Sequence, residues 1–391
     1  MRLKRKRYPI PKDSAIRGNH VCRTLTSVYN DPIMYLRKIQ IIAIYIFKVV
    51  TVFDYWLFLK SFKNLHKRFS LSWSYFTKST TTKYYPNNIQ IELTNICNLN
   101  CVMCPSQSQT RPRGHLTKEM FTQIIDSYGP DLEVISFDLM GEMLIHPEYD
   151  WFLKEAKRRG LKTSISTNAT FLTKEHSERI INAGVDFFMI SIDDVSGGSY
   201  KEIRRGAEFT KVLNNTKQFL ELNNGKVFTI IQKIHMSVNK SSVWTYVEEM
   251  MPLKPDIVRL KPFRDLHRER KYLRPEERKN TEKIQCPYLW RVPVMSWDGK
   301  LIPCAVDFNA SVKLGEAPSN LADAWNGEKF QAFRQMHIDG KKEEIPLCKG
   351  CSAIEATPLG IAISSAFDGL NFRKVLTLTQ TLKILIKEFN S

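Results

Sequence analysis

Short apolar runs alternate with amphipathic stretches through the middle of the chain. Six runs rich in β-branched and aromatic residues have the length of buried strands; they cover residues 89–94, 133–139, 161–167, 185–192, 227–234 and 256–261. Amphipathic segments with helical spacing lie between them, at 118–128, 149–159, 174–182, 209–223 and 242–251. Strands and helices that alternate in this way form a parallel sheet covered by helices. The pattern therefore predicts an α/β core whose sheet is curved or closed as a barrel.

A different pattern precedes this core. Residues 41–59 are apolar except for Lys48, Thr51 and Asp54, which recur every third residue and would form one polar stripe on a helix. Basic and aromatic flanks suit a helix at an anionic membrane surface, and the charged pair makes a membrane-spanning helix costly. Three alternatives stay open: an interfacial helix, a helix packed on the protein's own body, and a transmembrane span.

Changes in composition divide the chain into five parts. Residues 1–85 form a basic, partly apolar extension, and residues 86–263 hold the alternating core. A highly charged linker or lid covers 264–285, and a small cysteine-bearing module covers 286–353. A tail at 354–391 contains a predicted amphipathic helix at 372–389.

The net charge of +18 belongs mainly to the extension. The chain has 58 basic residues (Lys and Arg) and 40 acidic residues (Asp and Glu). Residues 1–85 contain 17 of the basic and 3 of the acidic ones, so the rest of the chain has 41 basic and 37 acidic residues. The charge therefore does not indicate a nucleic-acid-binding core. Eight cysteines without an apolar secretory segment favour a reducing compartment. We expect a cytoplasmic protein, with peripheral contact to a membrane surface through residues 37–63.

Seven of the eight cysteines fall into two groups. The groups are Cys97, Cys101 and Cys104, then Cys286, Cys304, Cys348 and Cys351. The first group directly follows the first predicted strand, where such a sheet carries an active-site loop. Three thiolates leave one iron of a four-iron cube open, whereas four thiolates close it. The sequence thus predicts one reactive and one supporting cluster, with a structural zinc site as the alternative for either group.

The Cys-x3-Cys-x2-Cys spacing after a first strand resembles that of radical S-adenosylmethionine (SAM) enzymes. Stretches at the ends of the next three predicted strands resemble the same family. They contain Gly141 with Glu142, Ser166 with Asn168, and Ser191 with Arg204. The resemblance implies a partial (β/α)6 TIM-like barrel of radical SAM type in which these six residues contact SAM.

The second cysteine group resembles the auxiliary-cluster modules called SPASM and twitch. The hairpin from Trp297 and Gly299 to Pro303 and Cys304 carries this resemblance. With four cysteines, the module is similar to the shorter form that holds one cluster. The resemblance implies an auxiliary [4Fe-4S] cluster bound by four cysteines, in addition to the [4Fe-4S] cluster that three cysteines hold with SAM.

The family resemblance also implies a reaction. SAM would be cleaved reductively to a 5′-deoxyadenosyl radical, which removes a hydrogen atom from a small-molecule or peptide substrate. A flavodoxin-type or ferredoxin-type partner would donate the electron. A non-catalytic iron-sulfur electron carrier is the alternative from another functional class, and it predicts no cleavage of SAM.

The cysteine count ranks the outcomes of this chemistry. The remaining cysteine, Cys22, lies in the extension, so the body has no spare thiol. A radical epimerase must return a hydrogen atom, commonly from a thiol, whereas a closed cluster can accept the second electron of an oxidation. We therefore expect net, dehydrogenase-like oxidation. The resemblance to the twitch-bearing dehydrogenases of this family implies a polar sugar-like or cyclitol-like metabolite as the substrate. Peptide or protein maturation and modification of a lipid-linked substrate are the alternatives.

Three residues are candidates for the catalytic substrate site: His235, Lys261 and Arg264. They lie at or just beyond the ends of the fifth and sixth predicted strands, where a proton acceptor or an anion-binding group would face the cavity. Their alternative interpretation is that of ordinary polar loop residues.

Overall fold

The computed structural model describes residues 32–52, 65–129, 131–265, 273–274, 285–317, 321–351 and 369–390. Its strands are β1 (Asn88–Ile91), β2 (Asn100–Cys101), β3 (Val134–Phe137), β4 (Lys162–Thr167), β5 (Phe187–Ser191), β6 (Arg204–Arg205), β7 (Phe228–His235), β8 (Ile257–Pro262), β9 (Val294–Met295), β10 (Lys300–Ile302) and β11 (Gly315–Glu316). Its helices are α1 (Pro32–Val52), α2 (Leu65–Phe76), α3 (Lys118–Tyr128), α4 (Tyr149–Arg158), α5 (Lys174–Asn182), α6 (Gly197–Ile203), α7 (Phe209–Asn223), α8 (Val243–Met250), α9 (Leu321–Trp325), α10 (Glu328–Ile338) and α11 (Gly369–Phe389). Short 3₁₀ helices cover Ser106–Ser108, Met143–Ile145, Met251–Leu253, Pro287–Trp290 and Lys342–Glu344.

The core sheet is parallel and follows the order of the chain. Its strands run β1, β3, β4, β5, β7 and β8, and helices connect them. Within the described residues β1 and β8 are not hydrogen-bonded to each other, so the barrel is partial. The predicted fold class is confirmed, and each predicted core strand and helix overlaps an observed one.

The cysteine-bearing module continues the same sheet. β9 runs parallel to β1, with Gln90 opposite Val294 and Ile91 opposite Met295. β10 and β11 then follow as antiparallel strands. The module is therefore attached to the strand that leads into the first cysteine loop.

The first and last described helices cover the free edge of β8. In α1, Tyr45 donates a hydrogen bond to the carbonyl of Val258. In α11, the Thr381 hydroxyl accepts a hydrogen bond from the N–H of Leu260 at 3.0 Å. An uncovered strand edge leaves N–H and C=O groups unpaired, so these contacts complete the sheet.

This arrangement shows how one face of α1 is covered, as far as the helix is described. Ile41 and Tyr45 are buried, and Lys48 donates a hydrogen bond to the carbonyl of Asp256. One face of the helix therefore packs on the protein's own body. The rest of the predicted apolar segment, residues 53–59, lies outside the described residues. In the described parts of the chain, no helix combines the length and the apolar character that a membrane crossing requires.

The other two appended segments were also predicted. The C-terminal amphipathic helix is present as α11, and it buries Leu378 and Leu385. The predicted surface linker, 264–285, lies mostly outside the described residues. Within it, Leu273 is fully buried, and its carbonyl accepts a hydrogen bond from the N–H of Ser237 at 3.1 Å. This part of the linker packs beyond the end of β7.

Candidate active site

The first three cysteines lie in a loop that is held from two sides. The backbone of Cys101 pairs with that of Arg204, through the short antiparallel strands β2 and β6. The Gln107 side chain donates hydrogen bonds to the carbonyls of Cys97 and Leu99, at 3.1 and 2.9 Å. Burial raises the pKa of the Cys97 thiol to about 11 and that of Cys101 to about 12. Thiols in this environment become thiolates when they bind iron, which compensates their charge.

Gly141 fits against this loop because it has no side chain. A Cβ atom at this position would lie 2.2 Å from the carbonyl oxygen of Thr94 and 2.7 Å from that of Ile96. The same carbonyls accept hydrogen bonds from the N–H groups of Gly141 and Glu142, at 3.1 and 2.9 Å. The close backbone contact sets Glu142 beside the cysteine loop.

The carboxylate of Glu142 is buried and held by three donors. It accepts hydrogen bonds from the Thr167 hydroxyl at 2.7 Å, the Asn168 N–H at 2.7 Å and the Leu144 N–H at 3.3 Å. Burial nevertheless raises the pKa of Glu142, although these donors and the more distant Arg204 oppose the shift. A buried carboxylate of this kind is suited to hold a cationic amino group.

The predicted site residues on β4 and β5 occupy different environments. The Asn168 amide donates to the Asn98 side-chain oxygen at 3.0 Å, and so ties the end of β4 to the cysteine loop. Ser166 and Ser191 are half-buried, and within the described residues their hydroxyls have no hydrogen-bond partner. Asn168 therefore supports the loop, whereas the two serines leave polar groups available to a ligand.

Arg204 is paired with Asp193, a residue that the sequence analysis did not select. The Arg204 Nε donates to the Asp193 carboxylate at 2.7 Å, and both side chains are buried. Burial opposes the charge, but Asp193 and the neighbouring Cys101 raise the pKa of Arg204. Asp193 also accepts a hydrogen bond from the N–H of Ile234 at 2.7 Å. Asp193 keeps Arg204 charged beside the cysteine loop, where the guanidinium suits a carboxylate ligand.

The inner face of the barrel carries further polar residues that the sequence analysis missed. Phe188 of β5 contacts Phe219 of α7, with ring centroids 4.6 Å apart, so this face of the strand is covered by a helix. Ser191 lies on the opposite face. In the register of the sheet, Ser191 lies opposite Gln232 of β7, and Gln232 lies opposite Arg259 of β8. A glutamine inside the apolar run 227–234 was the available signal.

The three candidate substrate residues do not lie together. Nε2 of His235 lies 3.7 Å from the Glu388 carboxylate in α11, and His235 shares a strand face with Lys233, which contacts Ser241 next to α8. His235 therefore lies on the face of β7 opposite Gln232, because side chains alternate along a strand.

Lys261 and Arg264 occupy the barrel side and its rim. Lys261 is the partner of Ile234 and shares the face of Arg259. The Arg264 guanidinium donates to the Tyr288 hydroxyl at 3.2 Å, and Tyr288 follows Cys286 in the module. Arg264 thus connects the rim of the barrel to the second cysteine group.

The second cysteine group converges from three parts of the module. Burial, together with repulsion among neighbouring thiolates, raises the pKa of Cys304 to about 12 and that of Cys286 far above its ordinary value. The described residues contain no group of three or more His, Cys, Asp or Glu side chains that could hold a metal ion. That finding concerns ligands of a single ion. In a four-iron cube each thiolate binds a different iron, so the thiolates are spaced more widely than those around one ion. The three thiols of the first loop and the four thiols of the module are donor sets that fit iron-sulfur clusters.

Known proteins share both parts of this architecture. The sequence model of the Radical SAM superfamily matches residues 91–248, and that of the SPASM iron-sulfur cluster-binding domain matches residues 286–352. The chain is 24% identical to the tungsten-containing aldehyde ferredoxin oxidoreductase cofactor-modifying protein of Pyrococcus furiosus, over 68% of this chain and 88% of the relative. It is 22% identical to the S-adenosyl-L-methionine-dependent 2-deoxy-scyllo-inosamine dehydrogenase of Niallia circulans, over 68% and 92%.

A solved structure agrees with the fold. SuiB of Streptococcus suis, crystallised with the precursor peptide SuiA, is similar with a TM-score of 0.52 and 15% identity, over 63% of this chain and 66% of SuiB. The resemblance expected from the cysteine spacing is confirmed. The chain is an enzyme of the radical SAM superfamily, with SAM and a [4Fe-4S] cluster as cofactors of its barrel and a C-terminal SPASM domain for auxiliary iron-sulfur binding.

Proposed function

We propose that this enzyme oxidises a polar, sugar-like or cyclitol-like metabolite. The row formed by Ser191, Gln232 and Arg259 on the inner face of the barrel carries the proposal. The side-chain oxygen of Gln232 is buried, and it has no hydrogen-bond partner among the described residues. An unsatisfied buried acceptor costs about 1–3 kcal/mol. A hydroxyl or amino group of a polar substrate would satisfy it.

The chain's own residues would share the work of this oxidation. Glu142 would hold the amino group of SAM and Arg204 its carboxylate, beside the cluster on Cys97, Cys101 and Cys104. Converting a secondary alcohol to a ketone removes one hydrogen atom, one proton and one electron. The bound SAM and clusters supply the atom and electron transfers, so the chain must supply the proton acceptor.

Lys261 is the proton acceptor that we propose. It lies on the strand face of Arg259, near the end of β8, whereas His235 contacts the outer helix α11. Arg264, which reaches the SPASM domain through Tyr288, would orient the substrate at the rim. An external flavodoxin-type or ferredoxin-type protein would supply the electron that starts each turnover.

Two further points support oxidation. One relative carries the name of a dehydrogenase that depends on SAM and acts on a cyclitol amine. The four cysteines of the SPASM domain would close an auxiliary cluster, which can accept the second electron. The eighth cysteine, Cys22, lies outside the described residues.

The test measures 5′-deoxyadenosine in the reconstituted, reduced enzyme with SAM and a panel of cyclitols and sugars. We expect at least one of these compounds to stimulate its formation and to yield a ketone that a hydrazine reagent traps. Gln232→Leu should lower the stimulated rate at least tenfold and leave the unstimulated rate unchanged. Gln218→Leu, on the exposed side of α7, is the matched control.

Peptide maturation is the second candidate, because SuiB has the same fold and was crystallised with a precursor peptide. Short peptides therefore belong in the same panel. If peptides stimulate 5′-deoxyadenosine formation and no sugar or cyclitol does, the metabolite proposal is wrong. If Cys97→Ala retains SAM cleavage, the assignment of the reactive cluster is wrong as well.

We also propose that the N-terminal part of the chain contacts an anionic membrane surface. Besides the face that covers β8, α1 exposes a set of large apolar side chains: Ile33, Tyr35, Leu36, Ile39, Ile44, Ile46 and Phe47. On α2, Phe69, Trp73 and Phe76 are also exposed. Exposed apolar faces on two helices are unusual for a surface in contact with water. A lipid surface would cover them, and modification of a lipid-linked substrate would then become possible.

The charge of this region favours anionic lipid as the occupant. Residues 1–85 contain 17 basic and 3 acidic residues, and Lys383 and Lys387 are exposed on the neighbouring α11. Each basic residue near an anionic leaflet adds about 1 kcal/mol to binding. Of the predicted contact segment 37–63, residues 53–63 lie outside the described residues.

Cosedimentation with vesicles tests this contact. We expect the full chain to bind vesicles that contain phosphatidylglycerol, and to bind pure phosphatidylcholine at least tenfold more weakly. Phe47→Glu should reduce binding at least fivefold, whereas Val238→Glu, at an exposed apolar position outside the two helices, should not. Equal sedimentation of both variants would contradict the proposed membrane contact. Dimers that form without lipid would also contradict it, because a second copy of the chain would then cover the apolar side chains.

A further inference from the structure

His337 connects two of the cysteines of the SPASM domain. It lies near the end of α10 and is 4% exposed. Its Nδ1 accepts a hydrogen bond from the backbone N–H of Cys286 at 3.4 Å. Its Nε2 lies 3.4 Å from the sulfur of Cys348. One imidazole therefore contacts both the first and the third cysteine of the group.

These two contacts determine which nitrogen carries the hydrogen. A neutral imidazole has one N–H donor and one acceptor nitrogen. A backbone N–H can only donate, so Nδ1 must be the acceptor. The hydrogen is then on Nε2, and it is directed at the sulfur of Cys348. Phe333, one turn earlier on the same helix, packs against the ring with centroids 5.8 Å apart and limits its rotation.

We propose that His337 is a positioning residue that raises the reduction potential of the auxiliary cluster through this N–H···S hydrogen bond. Reduction by one electron adds one negative charge, which is shared by the irons and the cysteine sulfurs. A hydrogen-bond donor to a ligand sulfur stabilises that added charge, and such bonds are among the factors that set cluster potentials. An auxiliary cluster with a higher potential is a better electron acceptor. This inference rests on the cluster of the SPASM domain and is independent of the proposed substrate.

The test compares His337→Leu with His337→Gln. Both are made in the full chain with Cys97, Cys101 and Cys104 replaced by Ala, so that only the auxiliary cluster is reconstituted. A redox titration followed by electron paramagnetic resonance gives the ratio of reduced to oxidised cluster. We expect His337→Leu to lower that ratio about tenfold at fixed potential, which corresponds to 59 mV for one electron. His337→Gln keeps an N–H donor and should change the ratio less than threefold, as should His66→Leu at an exposed position.

Two results would overturn the proposal. An unchanged potential in His337→Leu, with the same iron content as the parent, would make the contact merely structural. If His337→Leu loses iron, the cluster of the parent protein provides the readout. Pulsed electron paramagnetic resonance then detects the magnetic coupling between the reduced cluster and nearby nitrogen nuclei. A weak coupling with the parameters of an imidazole nitrogen, which His337→Gln replaces by that of an amide nitrogen, supports the hydrogen bond. No coupling, or the strong coupling of a nitrogen bound directly to iron, contradicts it. Neither readout depends on whether a sugar, a cyclitol or a peptide is the substrate.

Discussion

Arg111 and Glu92 form a two-point ion pair at the junction of the barrel and the SPASM domain. Both terminal nitrogens of the guanidinium donate to the carboxylate at 2.7 Å, and the side chains of Arg111 and Glu92 are 5% and 1% exposed. Each partner also binds the domain. Glu92 accepts a hydrogen bond from the N–H of Trp297 at 3.2 Å, and Arg111 donates to the carbonyl of Phe308 at 2.9 Å. The pair thus joins the segment after the first cysteine group to the hairpin that carries Cys304.

Glu92→Gln should destabilise the protein by about 3–5 kcal/mol, because it leaves the Arg111 charge buried without its partner. The free energy of unfolding in urea, followed by tryptophan fluorescence, measures the effect. Lys154→Met removes an exposed helical ion pair with Asp150 and should cost less than about 0.5 kcal/mol. A cost below about 1 kcal/mol for Glu92→Gln would mean that the pair does not hold the two domains together.

Gly141→Ala should displace the cysteine loop, since the added Cβ would overlap the carbonyl oxygen of Thr94 at 2.2 Å. Backbone shifts forced by overpacking cost about 1–3 kcal/mol. We expect iron bound by the first cysteine group to fall by at least half, and SAM binding to weaken at least tenfold. In Gly198→Ala the new Cβ meets no atom within 4 Å, so this variant should keep both properties. Normal iron content and normal SAM binding in Gly141→Ala would contradict the proposed role of this contact.

The sequence predicted the parts of the fold that depend on periodicity. Alternating apolar runs and amphipathic segments identified the six core strands and the connecting helices, because burial on both faces gives parallel strands continuous apolar runs. The cysteine loop was predicted for the same reason, as it directly follows a strand. The cover that α1 and α11 provide for β8 could not be predicted, because it depends on contacts between opposite ends of the chain.

The site was predicted less completely, for two physical reasons. Polar residues near strand ends can face either side of the sheet, and the side is set by the hydrogen-bond register with neighbouring strands. The sequence alone therefore could not place His235 on the face of β7 opposite Gln232, and Gln232 was overlooked within an apolar run. Contacts such as Glu92 with Trp297, or Arg111 with Phe308, form only when the SPASM domain docks. Neither pair has a spacing that a sequence pattern would reveal.

Lys233 should make the stability of the protein depend on pH in the alkaline range. Its ammonium is fully buried and donates to the Ser241 carbonyl and hydroxyl at 2.7 and 2.9 Å. Burial lowers the pKa of Lys233 to about 8, although Asp194 and Asp193 oppose the shift. The unfolded chain keeps the ordinary, higher pKa, so it binds more protons than the folded chain between the two values. Stability should therefore rise with pH above about 8, by on the order of 1–2 kcal/mol up to pH 9.5.

Lys233→Met should remove this dependence. The difference in unfolding free energy between parent and variant should shift in favour of the parent as the pH rises from 7.5 to 9.5. Lys201→Met, at an exposed position on α6, should leave the slope of the parent unchanged. Parallel curves for the parent and Lys233→Met would show that Lys233 does not titrate in this range.

Glu142→Gln should separate SAM binding from cluster binding. The carboxylate accepts hydrogen bonds from Thr167, Asn168 and Leu144, and an amide cannot accept with both of its ends. One buried donor is then left unsatisfied, at a cost of about 1–3 kcal/mol, and the negative charge for the SAM amino group is lost. We expect SAM affinity, measured by equilibrium dialysis, to fall by about tenfold to a hundredfold.

Iron content distinguishes this effect from collapse of the loop. Glu142 contributes no sulfur ligand, so the purified variant should retain the iron of both cysteine groups, unlike Cys97→Ala. Glu148→Gln offers a matched control in the same segment, since its carboxylate is largely exposed and pairs with Lys118. Unchanged SAM affinity in Glu142→Gln would leave the hydrogen bonds to Thr167 and Asn168 as the whole role of this carboxylate. The amino group of SAM would then require another partner at the end of β3 or β4.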